Sequence, residues 1–480
     1  MNQPYVPQDL VYLIYLVSAV MFILGLKKMT RVPTAREGNR QSGAAMGLAI
    51  VGTILELGAI DYRWIIAGLV VGSVIGAWAA IKVEMTEMPE LVALLNGSGG
   101  LSSVAVALGA YAMVVIERSA GVSAVAAIEA MGTVELFATA MSVLIGGITF
   151  LGSVIAWAKL QGSLNKGAPI LLPGRHAINI ALGVAALAIT IYVSWFLQDA
   201  ELGLYLLLAL CAISLILGFT LVAAIGGADM PVVVSLLNSY SGVAAAAAGF
   251  VVGNPLLIIG GSSVGAAGII LTKIMCDAMN RSLANVLLGG FGGDAASSGP
   301  VEYGVVKSCG PSEAAMDIEY ASSVCIVPGY GLAVAQAQHT VRELAKILEA
   351  KGVEVTFAIH PVAGRMPGHM NVLLAEADVP YEQLIELETA NPNFKSVDAV
   401  LVIGANDVVN PDALENPDSP IAGMPILHAH EARSVYVIKR SLGAGYAGIK
   451  NPLFEKPNTN MIYGDAKKVL EQMVTELKNS

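Results

Sequence analysis

The sequence predicts a polytopic α-helical membrane domain with about nine spans, fused to an α/β domain with a doubly wound parallel sheet. Hydrophobic residues make up 55% of the 480 residues and charged residues only 13%, whereas soluble domains carry about 25% charged residues. Most of the apolar excess lies in the first 275 or so residues, and short apolar runs alternating with helical segments follow it. We therefore expect a membrane domain over residues 1–275, a linker over 276–300 and a second domain over 301–480.

The membrane domain is predicted from apolar segments that approach the ~20 residues needed to cross ~30 Å of hydrocarbon. These segments cover residues 10–26, 43–60, 64–82, 91–115, 134–158, 177–197, 203–225, 231–252 and 255–273. The first eight residues contain no basic region and no cleavage site of small residues, so we expect the first span to be retained as an anchor.

The orientation of the spans is predicted from the basic residues in the short loops. These residues are Lys27, Lys28, Arg31, Arg36 and Arg40 in the first loop, Lys159, Lys166 and Arg175 in the fifth, and Lys273 and Arg281 after the last span. With nine spans all of them lie on one side, and the opposite loops have little net positive charge. The sequence therefore predicts an outside N-terminus and a cytoplasmic C-terminal domain.

Cysteine spacing and net charge argue against a metal site and against a nucleic-acid partner. The four cysteines Cys211, Cys276, Cys309 and Cys325 form no CxxC pair and no metal-ligand spacing, so we interpret them as structural thiols and expect no metal site. The net charge of −10 without a basic patch disfavours a nucleic-acid partner.

The segment Gly289–Gly299 is rich in glycine and serine and predicts a flexible connection, either a plain linker or a hinge with a mechanical role. Beyond it we predict five strands and two helices. The strands are Ser323–Val327, Val353–Ile359, Val397–Ile403, Ser434–Ile438 and Asn460–Tyr463, and the helices are Leu332–Ala350 and Asp465–Leu477. Such alternation is typical of a parallel sheet covered on both faces.

A glycine motif follows the first of these strands and predicts a dinucleotide-binding turn. Gly329-x-Gly331-x-x-Val334 lies between a strand and a helix, where glycines allow a tight turn that brings backbone N–H groups to a pyrophosphate. The motif alone is weak, because ordinary turns are also glycine-rich and Val334 replaces the third glycine. A potassium-filter reading of the Gly-Tyr-Gly is set aside, because a filter requires a pore loop between spans. The candidate residues of this Rossmann-like turn are Gly329, Tyr330, Gly331, Leu332, Ala333 and Val334.

The residues after two other strands favour NADP over NAD. An NAD site normally has an acidic residue at the end of the second strand, and this chain has His360 there. Lys439, Arg440 and Ser441 follow a strand at the expected sheet edge and offer two cations and a hydroxyl to a 2′-phosphate. For the two cations alone, a solvated basic pair is the alternative.

Several long runs together resemble one family. His360–Asn371, Gly404–Pro411, Lys439–Ser441, Gly445–Gly448 and Asp229–Gly242 are similar, in the same order, to the beta subunit of the proton-translocating NAD(P) transhydrogenase. The resemblance covers nearly the whole chain. It implies hydride transfer between NAD(H), held by an alpha-type subunit, and NADP(H), held by this chain, while protons cross the membrane.

The resemblance also implies partners and a location. We expect an alpha-type subunit that carries the NAD(H) site and extra transmembrane helices. We further expect a dimer of such complexes in the lipid bilayer of a bacterial inner membrane. A single dinucleotide motif in this chain agrees with a second nucleotide site elsewhere.

The family resemblance implies a role for each residue at a matching position of this chain. Arg365 is expected to contact a nucleotide phosphate, Lys439, Arg440 and Ser441 the 2′-phosphate, and residues 445–447 to form a lid. Asp407, to which a catalytic role is assigned, resembles an acidic residue beside the nicotinamide that senses protonation; an Asx turn after a strand is the alternative. The chemical step itself needs no side-chain acid or base. The remaining implied nucleotide-binding residues are Gly404, Ala405, Asn406, Gly445, Tyr446 and Ala447.

A proton pathway is expected at Asn96, Ser153, Asp229 and Asn238. By position, Asn96, Ser153 and Asn238 lie roughly 8 to 11 Å into their spans, and interhelical packing is the alternative for each. Many relatives carry histidine where this chain has Asn96, and no predicted span contains a histidine. Because asparagine does not titrate, a partner subunit or the span residues Glu56 and Glu135 must supply the titratable group.

Two other functions compete with the transhydrogenase interpretation. A nucleotide-gated ion or solute transporter with a Rossmann-like sensor domain requires no second nicotinamide. An NADPH-quinone oxidoreductase requires flavin, haem or iron-sulfur ligands, and the sequence contains no suitable Cys or His cluster.

Overall fold

The computed structural model describes residues 7–57, 62–119, 124–165, 168–288, 303–366, 368–445 and 447–480. The chain divides into two compact units, each built from two stretches. The first unit comprises Met1–Ala224 and Val233–Thr272, and the second comprises Ile225–Val232 and Lys273–Ser480. The predicted linker segment Gly289–Gly299 lies outside the described residues.

Nine long helices occupy the described part of the chain before residue 280. They are α1 (Gln8–Met29), α2 (Val32–Leu57), α3 (Tyr62–Lys82), α4 (Met88–Ser119), α5 (Ala124–Leu160), α6 (Arg175–Trp195), α7 (Ala200–Ala223), α8 (Met230–Val251) and α9 (Pro255–Ala278). Among the described residues, eight of these helices are long and apolar enough to cross a membrane. The predicted membrane domain is thereby confirmed, with eight candidate spans rather than nine.

The helix that does not qualify as a candidate span is α2. Its first half carries Arg36, Glu37 and Arg40, and its apolar part within the described residues is 43–57. The predicted apolar segment 43–60 runs past residue 57, and its last three residues lie outside the described part of the chain. The count of nine spans therefore depends on α2 alone.

Glycines allow the helices of the first unit to pack with their backbones in contact. A Cβ on Gly100 of α4 would lie 2.6 Å from the Gly146 carbonyl oxygen of α5. A Cβ on Gly242 of α8 would lie 2.7 Å from the Gly261 carbonyl oxygen of α9. Small residues at such crossings are typical of helix association in a bilayer, where packing rather than hydrophobicity holds helices together.

The second unit contains a six-stranded parallel sheet. Its strands are β1 (Ser323–Pro328), β2 (Glu354–Ile359), β3 (Leu384–Glu386), β4 (Ala399–Ile403), β5 (Ser434–Lys439) and β6 (Thr459–Tyr463), in the order β3-β2-β1-β4-β5-β6. All neighbouring pairs are parallel. This order is that of a doubly wound dinucleotide-binding sheet, so the predicted fold class is confirmed.

Short and amphipathic helices accompany the sheet. They are α10 (Leu283–Leu288), α11 (Pro311–Glu319), α12 (Tyr330–Val334), α13 (Gln338–Ala350), α14 (His369–Glu376), α15 (Leu387–Ala390), α16 (Asp412–Glu415) and α17 (Ala466–Asn479). The prediction of one helix over Leu332–Ala350 is wrong, because the chain breaks between α12 and α13 with Gln336 at a φ of 48°. The predicted C-terminal helix is confirmed as α17, and Asp465 caps its first turn by accepting from Lys467 N at 3.2 Å.

Candidate functional site

The centre of the sheet provides the crevice for a ligand. Strands β1 and β4 lie side by side, and the strand order reverses between them. In open parallel sheets, ligands bind outside the carboxyl ends of strands at this switch point. A cavity of about 860 Å³ opens there, and its wall includes residues that follow β1, β2, β4, β5 and β6.

Most of the predicted nucleotide-binding residues meet at this cavity. Those in its wall are Gly329, Tyr330, Gly331, Val334, Gly404, Ala405, Asn406, Asp407, Lys439, Arg440, Ser441, Gly445 and Ala447. Leu332 and Ala333 are instead fully buried in the core, and Arg365 is not among the wall residues. Tyr446 lies outside the described residues.

The glycine turn after β1 packs backbone against backbone on the loop after β4. Gly329 N donates to the Ile403 carbonyl at 2.9 Å, and Gly331 N donates to the Gly404 carbonyl at 3.0 Å. A Cβ on Gly329 would lie 2.5 Å from Ala405 N, and a Cβ on Gly331 would lie 2.6 Å from Gly404 Cα. Close loop packing therefore requires these glycines whether or not a pyrophosphate binds.

Asp407 anchors the predicted lid segment. Its Oδ2 accepts from Ala447 N at 3.0 Å, and its Oδ1 accepts from Asn406 Nδ2 at 3.0 Å. Gly445 passes so close to Asp407 that a Cβ there would contact the carboxylate oxygen. The carboxylate thus ties the loop after β4 to the segment after β5.

Lys439 lies at the junction of the same two loops. Its ammonium donates to Asn406 Oδ1 at 3.1 Å and to the Gly443 carbonyl at 2.7 Å, and it lies 4.9 Å from the ring centre of Phe454. Burial lowers the pKa of Lys439 from 10.5 to about 8, and the charge of Asp407 acts in the opposite direction. The ammonium is therefore held in a fixed position, and its charge changes in a mildly alkaline range.

The three polar residues at the end of β5 differ in their exposure to solvent. Lys439 is half-buried, whereas Arg440 and Ser441 are exposed at the cavity wall. The prediction that they follow an edge strand is wrong, because β5 pairs with β4 on one side and β6 on the other. Sequence alone does not give the lateral order of strands, but the carboxyl end of β5 still opens into the cavity.

The side chain of Arg365 contacts an aromatic ring that lines the cavity. Its guanidinium carbon lies 4.4 Å from the ring centre of Tyr330, which lines the cavity. Its backbone N donates to His369 Nδ1 at 3.0 Å. The cation–π contact and this hydrogen bond together position Arg365 against Tyr330 of the glycine turn.

His360 has a structural place at the end of β2. It is buried, with Nε2 at 2.7 Å from the Pro425 carbonyl and Nδ1 accepting from Val362 N at 3.2 Å. Burial lowers the pKa of His360 from 6.5 to about 4, so the ring is neutral near pH 7. The neutral imidazole donates through Nε2 and holds the loop that begins at Pro361.

Asp229 is paired with a partner that sequence reasoning missed. Both carboxylate oxygens accept from Arg281 Nη1, at 2.6 and 2.7 Å, and the Asp229 side chain is only 4% exposed. Both residues contribute to the wall of the cavity. In the sequence, Arg281 is only one of several basic residues after the last apolar segment.

Two of the predicted pathway residues lie where α4 packs against α5 and α8 in the first unit. Asn96 of α4 donates through Nδ2 to the Val234 carbonyl of α8 at 3.1 Å. Ser153 of α5 is buried, its Oγ has no hydrogen-bond partner among the described residues, and a Cβ on Gly97 would lie 3.1 Å from its Cβ. Asn238 lies one turn beyond Val234 and is half-buried.

Two groups of hydrogen bonds, one in each unit, were not predicted. Glu56 of α2 accepts from the hydroxyl of Tyr15 at 2.5 Å, and Asn254 also donates to that hydroxyl at 3.2 Å. In the second unit, fully buried Asn451 donates to the main-chain carbonyl of Asn406 at 3.0 Å.

Within the described part of the chain, no group of three or more His, Cys, Asp or Glu residues could hold a metal ion.

Comparisons with known proteins agree on one family. The family model described as NAD(P) transhydrogenase beta subunit matches residues 11–476. A protein of Rhodospirillum rubrum named NAD(P) transhydrogenase subunit beta is 48% identical over 463 residues, which cover 96% of this chain and 97% of the relative. A second protein of that species with the same name has the same identity and coverage.

Proposed function

The chain belongs to the NAD(P) transhydrogenase beta subunit family, and from that premise we propose that it binds NADP(H) in the cavity between β1 and β4. The family implies nicotinamide nucleotides, and a beta subunit implies an alpha-type partner. In this proposal the partner carries the NAD(H) site, and hydride transfer between the two nucleotides is coupled to proton translocation.

The observation that carries the proposal is the position of the cations at the end of β5. Lys439 and exposed Arg440 contribute to the wall of the cavity that also contains the glycine turn. A 2′-phosphate is a dianion near neutral pH, and each charge-assisted contact to it contributes roughly 1.5 to 3 kcal/mol. NAD lacks that phosphate, so the same wall favours NADP(H).

When bound, the nicotinamide supplies the hydride chemistry, and the residues of this chain bind and orient the nucleotide. We propose that the turn from Gly329 to Val334 binds the pyrophosphate and that Arg365, which contacts the Tyr330 ring of that turn, contacts a phosphate. Asp407 holds the lid segment through Ala447. A change in the charge of Asp407 weakens or strengthens that bond, and this is the role in proton sensing that we propose for it.

For the proton pathway we propose Asn96, Ser153 and Asn238 in the first unit, with Asp229 at the start of α8. The buried hydroxyl of Ser153 supports this proposal, because a buried polar atom without a protein partner is a bonding site for water. A titratable group from the alpha-type partner, or Glu56, completes the path. We propose a bacterial inner-membrane location with the second unit in the cytoplasm, and a dimer of complexes.

Nucleotide titration of the purified full-length chain tests the NADP(H) site. We expect NADP+ to bind at least tenfold more tightly than NAD+, because only NADP+ carries the 2′-phosphate. Arg440→Ala should remove most of this preference and leave NAD+ binding unchanged.

Arg433→Ala is the matched control, because Arg433 precedes the opposite end of the same strand and its side chain is 83% exposed. It should leave both affinities unchanged. Equal affinities for NADP+ and NAD+ in the wild type, or equal losses in the two arginine variants, would contradict the proposal.

A further inference from the structure

The carboxamide of Asn406 bridges two charged side chains at the cavity. Its Nδ2 donates to Asp407 Oδ1 at 3.0 Å, and its Oδ1 accepts from Lys439 Nζ at 3.1 Å. A lysine ammonium only donates and an ionised carboxylate only accepts. The two partners therefore fix the orientation of the amide, because the reverse orientation would set donor against donor and acceptor against acceptor.

A second asparagine holds this arrangement from behind. Asn451 is fully buried, and its Nδ2 donates to the main-chain carbonyl of Asn406 at 3.0 Å. Its Oδ1 accepts from Leu453 N at 3.0 Å and so caps the short 3-10 helix Pro452–Glu455. The same turn contains Phe454, whose ring faces the Lys439 ammonium. One turn therefore positions both Asn406, which accepts from Lys439, and the aromatic ring that Lys439 contacts.

We propose that Asn406 is a positioning residue for the 2′-phosphate of NADP(H). Its amide holds the Lys439 ammonium at the cavity wall and links that ammonium to Asp407. This inference rests on the proposed NADP(H) site and gives Asn406, which was expected only to bind nucleotide, a role in specificity for the 2′-phosphate. An ammonium already held by fixed acceptors loses less side-chain freedom when the phosphate binds, so binding is tighter.

The arrangement predicts an alkaline limit to NADP(H) binding. Burial lowers the pKa of Lys439 to about 8, and the charge of Asp407 opposes that shift. The contribution of the ammonium to phosphate binding is therefore present below pH 8 and is lost as the pH rises above it. The 2′-phosphate titrates near pH 6, which is below this window. Asp407 is the charged group that acts on Lys439, and Arg440 is the next residue in the chain. Asp407 also acts on Tyr303, whose pKa is further influenced by Lys450 and Glu455.

The test is the ratio of NAD+ to NADP+ dissociation constants for the full-length chain between pH 6.5 and 10. Asn406→Leu removes one of the two acceptors of the ammonium and leaves the Gly443 carbonyl, so we expect about tenfold weaker NADP+ binding at pH 7. The alkaline midpoint should also move to lower pH. Asn406→Asp places a carboxylate against Lys439, so the midpoint should move to higher pH by a unit or more. The opposite directions of the two shifts are the signature of the proposal.

Two control variants separate positioning from folding. Lys439→Arg keeps its charge throughout this range, so the alkaline fall should disappear. Asn410→Leu removes a different amide, which is fully buried and donates to the Lys450 carbonyl at 3.0 Å. Its alkaline midpoint should equal that of the wild type. The nearly isosteric Asn406→Asp decides the case alone if Asn406→Leu does not fold.

Each remaining outcome counts against a specific statement. No preference for NADP+ in the wild type at any pH would overturn the proposed NADP(H) site itself. A normal preference with unchanged midpoints in both Asn406 variants would overturn only the role of Asn406. Persistence of the alkaline fall in Lys439→Arg would show that another group causes it, and the inference would then be wrong.

Discussion

Gly331 and Gly404 show that one residue type can satisfy two requirements. The sequence motif predicts glycine for the approach of a pyrophosphate, whereas the structure also requires it for contact between two loops. Gly404 has a φ of 65°, a conformation that side chains other than glycine rarely adopt, and a Cβ there would contact the Gly331 backbone. The shape of the cavity therefore depends on both glycines before any ligand is bound.

We expect Gly331→Ala and Gly404→Ala each to destabilise the second unit by on the order of 1 to 3 kcal/mol, because the added methyl group meets backbone atoms that have no space to move. Denaturant unfolding of the full chain measures this change, and NADP+ titration should show the parallel loss of binding. Gly310→Ala is the control for steric contact, because a Cβ at Gly310 meets nothing within 4 Å and only the cost of alanine at the N-cap of α11 is expected. A wild-type midpoint for both loop variants would show that the loops are not in close contact.

Single residues also mark the limit of prediction from sequence. Lys439 and Arg440 were predicted as site residues from their charge and their position after a strand, and Asp407 from the family resemblance. The structure brings all three to one cavity. Arg281 and Asn451 were not predicted, because their partners Asp229 and Asn406 lie 52 and 45 positions away in the chain. Nothing in the local pattern of an asparagine indicates which distant carbonyl it will meet.

At the scale of elements, hydrophobic pattern was informative where an element is long and regular. Five strands of buried apolar residues were predicted close to their observed bounds. β3 was not predicted, because it has three residues and is only partly buried. The break between α12 and α13 was also missed, because the helical period continues through Ala335–Ala337 while the backbone of Gln336 does not.

The element on which membrane topology depends is α2. If α2 crosses the membrane, the loop after α1 and the loop before α7 lie on opposite sides. If α2 does not cross, an even number of spans separates these loops and they lie on the same side. The distribution of basic residues favours the first case, with the loop after α1 in the cytoplasm.

Labelling of single cysteines in intact cells distinguishes the two cases. In a background without the four native cysteines, we expect an impermeant reagent to label Gln198→Cys from outside and not Asn39→Cys. Both positions are exposed, and labelling of both after permeabilisation is the control for reactivity. Labelling of both in intact cells, or of neither, would mean that α2 does not span.

At the scale of the whole molecule, the chain is one subunit of a transhydrogenase. Hydride transfer needs two nicotinamides in contact, and the described residues form a single parallel sheet with a single switch point. The beta-subunit family implies an alpha-type partner, and in our proposal that partner brings the second nucleotide. Within this chain, α8 begins in the second unit next to Asp229 and continues in the first unit to Asn238, so one helix belongs to both the proposed proton path and the unit that contains the cavity.

Coupling requires that the proton path and the nucleotide site change state together. Asn238→Leu should therefore impair proton translocation and also change the rate of NADPH release. Ser102→Leu on an exposed face of α4 should change neither and is the control for a bulky substitution within a span.

The most direct test of this account is a reconstitution of the chain with its alpha-type partner in vesicles, with hydride transfer, lumen pH and NADPH release recorded together. We predict that the lumen pH changes only while hydride transfer proceeds, and that Asn238→Leu reduces pumping and alters NADPH release in the same preparation. Unchanged pumping in Asn238→Leu would contradict the proposed path. Loss of pumping with NADPH release at the wild-type rate would contradict the coupling of that path to the nucleotide site.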